Sequence, residues 1–154
     1  MEMKATRTIA ADRATVWAAL NSAEVLKDCI PGCEELTGSP EDGFQATVKQ
    51  KVGPVKATFK GEVTLSDIVV NESYKIAGAG KGGVAGFANG SAVVTLSDNP
   101  EGGTDLSYDV QAKVGGKIAQ LGSRLIDSFA TKMADKFFEA FQTRVEEGEP
   151  EAEA

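Results

Sequence analysis

The sequence contains no histidine, so the commonest general base and the commonest metal ligand of proteins are missing from it. Catalytic dyads and triads that use imidazole are therefore excluded. The only two cysteines, Cys29 and Cys33, cannot complete a four-ligand zinc site by themselves, and their CxxxC spacing differs from the redox-active CxxC motif. We expect two free, partly buried thiols beside a turn, no metal site and no catalytic residues.

Long hydrophobic runs are also missing from the chain. No apolar stretch approaches the ~20 residues that a membrane-spanning helix needs, and the N-terminal residues MEMKATRTIAADRA lack the apolar core of a signal peptide. Hydrophobic residues make up 42% of the 154 residues and charged residues 25%, a balance typical of a globular protein with one domain. These features predict a cytoplasmic protein.

Acidic residues are concentrated at the C-terminus, where five glutamates fall in the last nine residues: Glu146, Glu147, Glu149, Glu151 and Glu153. Without them 18 acidic residues face 16 basic ones, so the net charge of −7 falls to −2 over residues 1–145. We expect residues 1–145 to form the domain and residues 146–154 to form a disordered acidic tail. A nearly neutral body lacks the electrostatic footprint of a nucleic-acid-binding protein, so no nucleic-acid partner is expected.

Hydrophobic periodicity predicts one strand and two short helices at the N-terminus. Residues 2–10 are enriched in threonine and isoleucine, as strands are. Asp12 and Ser22 stand at N-cap positions before two segments with helical spacing, which predicts helices over residues 13–21 and 23–28.

The remaining chain changes period twice. Between residues 33 and 114 the alternation has a period of two, which predicts six further strands joined as an antiparallel meander with one face in water. Residues 117–145 return to helical spacing, with apolar side chains at Ile118, Leu121, Leu125, Phe129, Met133, Phe137 and Phe141. This pattern predicts one amphipathic helix, about 40 Å long at ~1.5 Å per residue.

The predicted fold is α+β, with a curved seven-stranded antiparallel sheet that must curl around one long helix to bury its apolar face. Several inward positions carry small residues, namely Ala46, Ala57, Gly61, Gly78, Ala92 and Ala112. Because only 6% of the residues are aromatic, we expect the wrapped sheet to leave an apolar cavity suited to a lipid-like ligand. The periodicity is equally compatible with small residues that let the helix approach the sheet closely.

Five local strings carry a resemblance to a known family: Val16–Asn21 (VWAALN), Cys29–Glu34 (CIPGCE), Lys51–Ala57 (KVGPVKA), Gly78–Ala88 (GAGKGGVAGFA) and Gln120–Ile126 (QLGSRLI). Together they resemble the CoxG family, named for the G subunit of carbon monoxide dehydrogenase, within the START-like, or SRPBCC, superfamily. The resemblance extends over most of residues 1–145 and implies the helix-grip fold.

The resemblance implies a non-catalytic accessory protein. Such a protein would bind a quinone or another isoprenoid-like lipid in an internal cavity, with no covalent cofactor, and would link a molybdenum-containing carbon monoxide dehydrogenase-type oxidoreductase to the membrane. Longer relatives carry a C-terminal extension with an apolar anchoring segment, whereas this chain ends in acidic residues. We therefore expect membrane contact to be peripheral, at the inner face of the cytoplasmic membrane, or to depend on a partner.

Two other functions are compatible with the same features. The superfamily includes cyclases and hydrolases that work inside the cavity, but no inward carboxylate is predicted on a strand to do acid–base chemistry. The other alternative is an assembly or maturation factor that binds no ligand.

The candidate ligand-contacting residues are apolar side chains of the predicted strands, the glycine-rich connection and the helix stripe: Val48, Phe59, Val63, Ile76, Phe87, Tyr108, Leu121, Leu125, Phe129 and Met133. Among them Tyr108 has a polar tip on an inward face, which makes it the best candidate to bind a ligand carbonyl.

The glycine-rich segment between Gly78 and Gly90 has predicted strands on both sides, which disfavours a phosphate-binding loop because such a loop precedes a helix. Val84, Ala85 and Phe87 are expected to be apolar tips of a mobile lid or of a hairpin that touches a membrane. The alternative is an ordinary hairpin with Phe87 packed inside.

Four lysines lie on the outward faces of two adjacent predicted strands: Lys49, Lys51, Lys56 and Lys60. They form a candidate surface for anionic lipid or for an acidic partner. The alternative is a solvated face whose charge prevents pairing with other sheets.

Overall fold

The computed structural model describes residues 1–147 and confirms the predicted α+β order. Its elements are β1 (Glu2–Ile9), α1 (Arg13–Leu20), α2 (Ala23–Cys29), β2 (Cys33–Ser39), β3 (Gly43–Val52), β4 (Val55–Val69), β5 (Ser73–Lys81), β6 (Phe87–Asp98), β7 (Thr104–Gly115) and α3 (Ser123–Glu147). Two 3₁₀ turns, Gly83–Ala85 and Lys117–Leu121, follow β5 and β7.

The two short helices begin where the sequence predicts. The Asp12 carboxylate accepts a hydrogen bond from the Thr15 backbone N–H at 2.7 Å, and the Ser22 hydroxyl accepts one from the Val25 N–H at 3.3 Å. Both contacts satisfy backbone donors that a helix N-terminus otherwise leaves free. The helices connect β1 to β2, which are the two edge strands of the sheet.

The seven strands form one antiparallel sheet in the order β1-β7-β6-β5-β4-β3-β2. Strands β2 to β7 are a meander, and β1 joins it by pairing with β7, so that Ala5 lies opposite Tyr108. Small residues lie opposite one another on the inner face of neighbouring strands. Ala46 pairs with Gly61, and Gly78 pairs with Gly90. This band of small residues removes side-chain volume from the middle of the sheet.

The prediction of one continuous helix over residues 117–145 is wrong at both ends. Lys117–Leu121 form a 3₁₀ turn, and Gly122 adopts a φ of 94°, a conformation that breaks the helical path before α3 begins. At the other end α3 continues to Glu147, and the Glu146 carboxylate accepts a hydrogen bond from the Ala10 backbone N–H at 2.8 Å. Glu146 and Glu147 therefore belong to the domain, and the rest of the predicted tail lies outside the described residues.

Helix α3 packs tightly on the body of the protein through its C-terminal part. Phe141 is completely buried, and Phe138 and Val145 are nearly so, whereas no residue between Ser123 and Phe137 is fully buried. The Phe138 ring stacks on the Tyr108 ring with centroids 5.2 Å apart. This aromatic contact fixes one end of α3 to β7.

We predict that Phe141→Ala lowers the free energy of unfolding by about 3–5 kcal/mol, since it removes a fully buried aromatic ring from the contact that holds α3. Urea denaturation followed by circular dichroism measures the loss. Phe87→Ala, at a ring that is 40% exposed, is the matched control and should cost much less. Equal losses for the two variants would contradict this account of how α3 is held.

Candidate ligand-binding site

A cavity of about 430 Å³, here called the main cavity, lies between the sheet and α3. Four of the predicted ligand-contacting residues line it: Val63, Ile76, Tyr108 and Met133. Ala92 on β6 and Ala130 on α3 also line it, and their small side chains leave the space open. Among residues 1–147, no acidic or basic side chain lines this cavity, so its chemistry is that of an apolar container.

A second cavity of about 230 Å³ lies closer to the start of α3. Its lining includes the predicted residues Val48, Phe59 and Phe129, together with Gly80 and Ala88, which face each other on β5 and β6. Phe129 stands one helical turn before Met133, a residue of the main cavity. The two cavities therefore follow one another along the same face of α3.

A groove of about 370 Å³ on the surface, here called the entrance groove, adjoins both cavities. It shares Pro31 and Met133 with the main cavity, and it shares Gln50 and Phe129 with the second cavity. Leu125, another predicted residue, lines this groove instead of a cavity. The groove therefore borders both cavities at the surface.

Two predicted ligand-contacting residues lie away from the cavities. Leu121 belongs to the 3₁₀ turn and approaches Gly53 at the tip of the β3–β4 hairpin. Phe87 begins β6 on its outer face, where its ring lies against Gly115 and is 40% exposed. Leu121 is separated from α3 by Gly122, whereas Phe87 was predicted from the glycine-rich connection, whose lack of a period does not show which way its side chains face.

The Tyr108 hydroxyl already has a protein partner. Arg7 Nη2 donates a hydrogen bond to it at 3.3 Å, and the same guanidinium bonds Asp135 Oδ1 at 2.6 Å. The Arg7 side chain also lies over the Phe138 ring, 5.0 Å from its centroid. Tyr108 therefore helps to join β1, β7 and α3, in addition to lining the cavity.

Tyr74, which periodicity places on an inward face without assigning it a role, lines the main cavity with no hydrogen bond to its hydroxyl from residues 1–147. It is only 4% exposed, and burial raises the pKa of this hydroxyl above its ordinary value. The hydroxyl is thus a protonated donor without a protein partner, which suits a ligand oxygen better than Tyr108 does. Its position beside Trp17, at 5.2 Å between ring centroids, could not be read from spacing.

Gln50 is a second residue that sequence reasoning missed. It is the polar member of an otherwise apolar inward row on β3, and its side-chain amide donates a hydrogen bond to the Pro31 carbonyl at 2.5 Å. This bond crosses the junction of the entrance groove and the second cavity. The sequence signal that could have identified Gln50 is that it is the only polar residue among the inward positions of β3.

The four lysines predicted as a surface do lie on the outer face of the sheet, but acidic neighbours interrupt them. Lys49 forms an ion pair with Glu34 at 3.2 Å, and Lys60 shares a surface groove with Glu35 and Glu62. Glu34 and Glu35 lie on β2, and Glu62 lies further along β4 than the lysines. The stretch of β3 and β4 that carries the lysines has no acidic residue, so the sequence did not show that these carboxylates are neighbours of the lysines.

The glycine-rich segment forms β5, the 3₁₀ turn Gly83–Ala85 and β6, with no helix after it. Ala85, expected at an apolar tip, is instead buried, since this turn packs against the second 3₁₀ turn through Gly86 and Gly116. Val84 is 85% exposed. The alternative that packs Phe87 inside is wrong as well, and the mobility of this hairpin stays a prediction.

The two cysteines are free, with Cys29 buried and Cys33 half-buried, and burial raises the pKa of both thiols. Within residues 1–147 no cluster of three or more potential ligands could hold a metal ion. No helix in this described part of the chain combines the length and apolar character needed to cross a bilayer.

A curved antiparallel sheet wrapped around one long helix, with apolar space between them, defines a helix-grip protein of the START-like superfamily. The chain belongs to the CoxG family, that of the G subunit of carbon monoxide dehydrogenase, whose model matches residues 6–146. Family and fold are consistent with an accessory protein that binds a hydrophobic ligand. No curated protein matches the sequence.

Solved structures share the whole architecture. A conserved protein from Geobacillus kaustophilus has 28% sequence identity and a TM-score of 0.88, over 94% of this chain and 95% of that chain. A protein from Thermus thermophilus has 15% identity and a TM-score of 0.67, over 94% and 97%. Ara h 8.0201 has 15% identity and a TM-score of 0.64, also over 94% and 97%. The last two show the fold alone.

We predict that the two cavity tyrosines respond differently to loss of the hydroxyl. Tyr108→Phe should lower the free energy of unfolding by about 1 kcal/mol, because it removes the partner of Arg7. Tyr74→Phe should leave stability unchanged or slightly raised, since no protein group is left unpaired. Urea denaturation of the ligand-free variants measures both values. A loss for Tyr74→Phe as large as that for Tyr108→Phe would show that the Tyr74 hydroxyl has a structural partner.

Proposed function

We propose that this protein carries a quinone or another isoprenoid-like lipid in its cavities and links a molybdenum-containing carbon monoxide dehydrogenase-type oxidoreductase to the membrane. The observation that carries the ligand half is the apolar main cavity of about 430 Å³. This volume falls in the range of about 300–1,000 Å³ that small-molecule sites occupy.

The arrangement of the cavities suits a molecule with a compact head and a chain. The main cavity would take the bulkier part, with the unpaired Tyr74 hydroxyl available to donate to a carbonyl oxygen. The second cavity, reached past Phe129 and Met133, would take part of the chain. The entrance groove borders both spaces, so either part of the ligand would have access from the surface.

Burial of apolar surface supplies the affinity in this proposal. Each Å² of ligand and cavity surface removed from water contributes about 25 cal/mol, so about 200 Å² gives about 5 kcal/mol before the cost of immobilising the ligand. The apolar lining of the main cavity needs no reorganisation of charge to accept an apolar guest. Binding and release therefore require no covalent step.

The partner half of the proposal comes from the family. The family model is named for a subunit of carbon monoxide dehydrogenase. A main cavity that is apolar, and that no acidic or basic group of residues 1–147 lines, suits a carrier better than a catalyst. A bound quinone would give the oxidoreductase an electron acceptor drawn from the membrane. The cavity-enzyme alternative would have to rely on Tyr74 or Tyr108 for proton transfer.

We predict that Ala130→Phe weakens binding of a short-chain naphthoquinone by at least about tenfold, because the added ring occupies the main cavity. Thr131→Phe, at the exposed neighbouring residue of α3, is the matched control and should bind normally. Trp17, the only tryptophan, touches Tyr74 at the cavity wall, so quenching of its fluorescence reports binding. Saturable quenching that is equal in both variants would place the ligand outside the main cavity.

Affinity-tagged chain isolated from its own cells tests the partner half separately. We expect it to bring down an oxidoreductase that contains molybdenum, detected by elemental analysis of the eluate. Recovery of chain that binds naphthoquinone but carries no molybdenum would remove the partner from the proposal and leave the ligand in place.

A further inference from the structure

Three segments at one end of the molecule carry half of its basic residues and none of its acidic ones: residues 49–60, 79–88 and 113–125. Between them they hold eight of the 16 basic residues, whereas all 23 acidic residues lie elsewhere in the chain. The eight are Lys49, Lys51, Lys56, Lys60, Lys81, Lys113, Lys117 and Arg124, and all are exposed. We call this surface the basic end.

The sheet register and close packing bring the three segments together. Lys60 on β4 lies directly opposite Lys81 on β5, and Phe87 lies opposite Gly115 at the end of β7. At the tip of the β3–β4 hairpin, Gly53 is so close to Leu125 that a side chain there would collide with it. The three segments are therefore neighbours at this end of the molecule, although they are widely separated in sequence.

The charges of the basic end are compensated only in part, since Lys60 lies in a surface groove with Glu35 and Glu62 but forms no ion pair with either. Lys49 is the one member with a carboxylate partner in residues 1–147. Lys51 and Lys56 face each other as a cross-strand pair, an arrangement in which like charges destabilise a sheet. A protein with a net charge of −7 thus concentrates positive charge where it is unfavourable for folding, which indicates an external anionic partner.

Two exposed apolar side chains stand among these charges. Val84 in the 3₁₀ turn after β5 is 85% exposed, and Phe87 is 40% exposed. They follow Lys81 closely in the chain, and Phe87 is also its cross-strand partner. An acidic protein surface would satisfy the lysines but not the apolar tips, whereas a bilayer with anionic headgroups offers partners for both.

We propose that the basic end docks on the surface of an anionic lipid bilayer, with Val84 and Phe87 entering the headgroup region. The entrance groove lies at this end, since Lys51, Gly53 and Leu125 are among its residues. Docking therefore turns the opening toward the membrane, so that a hydrophobic ligand passes between bilayer and cavity without crossing water. The docking surface rests on the membrane link of the proposed function, and this last step rests on its ligand as well.

Sedimentation with vesicles tests the proposal on the full chain. Wild type should bind phosphatidylcholine vesicles that contain phosphatidylglycerol and should not bind pure phosphatidylcholine vesicles, and binding should weaken as salt is added. Lys56→Glu should weaken binding about tenfold, and its matched control is Lys75→Glu, an exposed outward position further along the sheet. Val84→Asp should also weaken binding, and its control is Val70→Asp, an apolar position 65% exposed at the opposite end of β5.

The outcomes separate docking from ligand binding. Loss of vesicle binding in the two test variants, with normal binding in both controls and normal naphthoquinone quenching throughout, supports the proposal. Wild type that binds both kinds of vesicle alike, or neither, overturns it. Equal weakening in test and control variants also overturns it, because net charge alone would then explain binding. Failure of quenching with intact vesicle binding would refute the proposed ligand and leave the docking surface standing.

Discussion

The structure depends on how one helix is held. Helix α3 packs through Phe138, Phe141 and Val145 at its C-terminal part, and Tyr108 and Arg7 fix that part to β7 and β1. Its preceding turns face a sheet whose inner surface carries glycine and alanine where other sheets carry larger side chains. The interior therefore stays open beneath α3 between Ile126 and Phe138, because neither surface supplies enough side-chain volume to fill it.

That constraint arranges the functional features in order along α3. The packed part lies farthest from the basic end, the main cavity follows at Met133, and the second cavity follows at Phe129. The entrance groove and the basic end come last, where Leu125 meets the β3–β4 hairpin. Phe138 and Tyr108, which hold the packed part of α3, also line the main cavity, so the contact that holds the helix forms one wall of the ligand site.

The period of apolar residues shows which side of a helix or strand each residue lies on. The fold and part of the site could therefore be predicted from the sequence. Asp12 and Ser22 fix the starts of two helices, and strict alternation places Val63 and Ile76 on the inner face. Periodicity could not show where regular elements end. Gly122 therefore separated Leu121 from the helix to which spacing assigned it, and the glycine-rich segment, which has no period, did not show that Phe87 begins β6 on its outer face.

Contacts between residues far apart in the chain could not be predicted from the sequence either. The bond between Arg7 and Tyr108 joins residues far apart in sequence, so spacing alone favoured Tyr108 and gave Tyr74 no role. In the same way, Glu34 and Glu35 come from a strand beside the lysines, and Lys81, Lys113 and Lys117 reach the basic end from separate segments. Such groupings depend on the register of neighbouring strands, which a single sequence does not determine.

Native mass spectrometry of the protein, purified gently and without detergent, tests most directly whether the apolar cavities hold a hydrophobic ligand. The account predicts a species heavier than the 16.1 kDa chain by the mass of one apolar molecule, which organic solvent releases. If the protein is isolated empty, incubation with a short-chain quinone should produce the heavier species. A bare chain that takes up no quinone under these conditions would contradict the account.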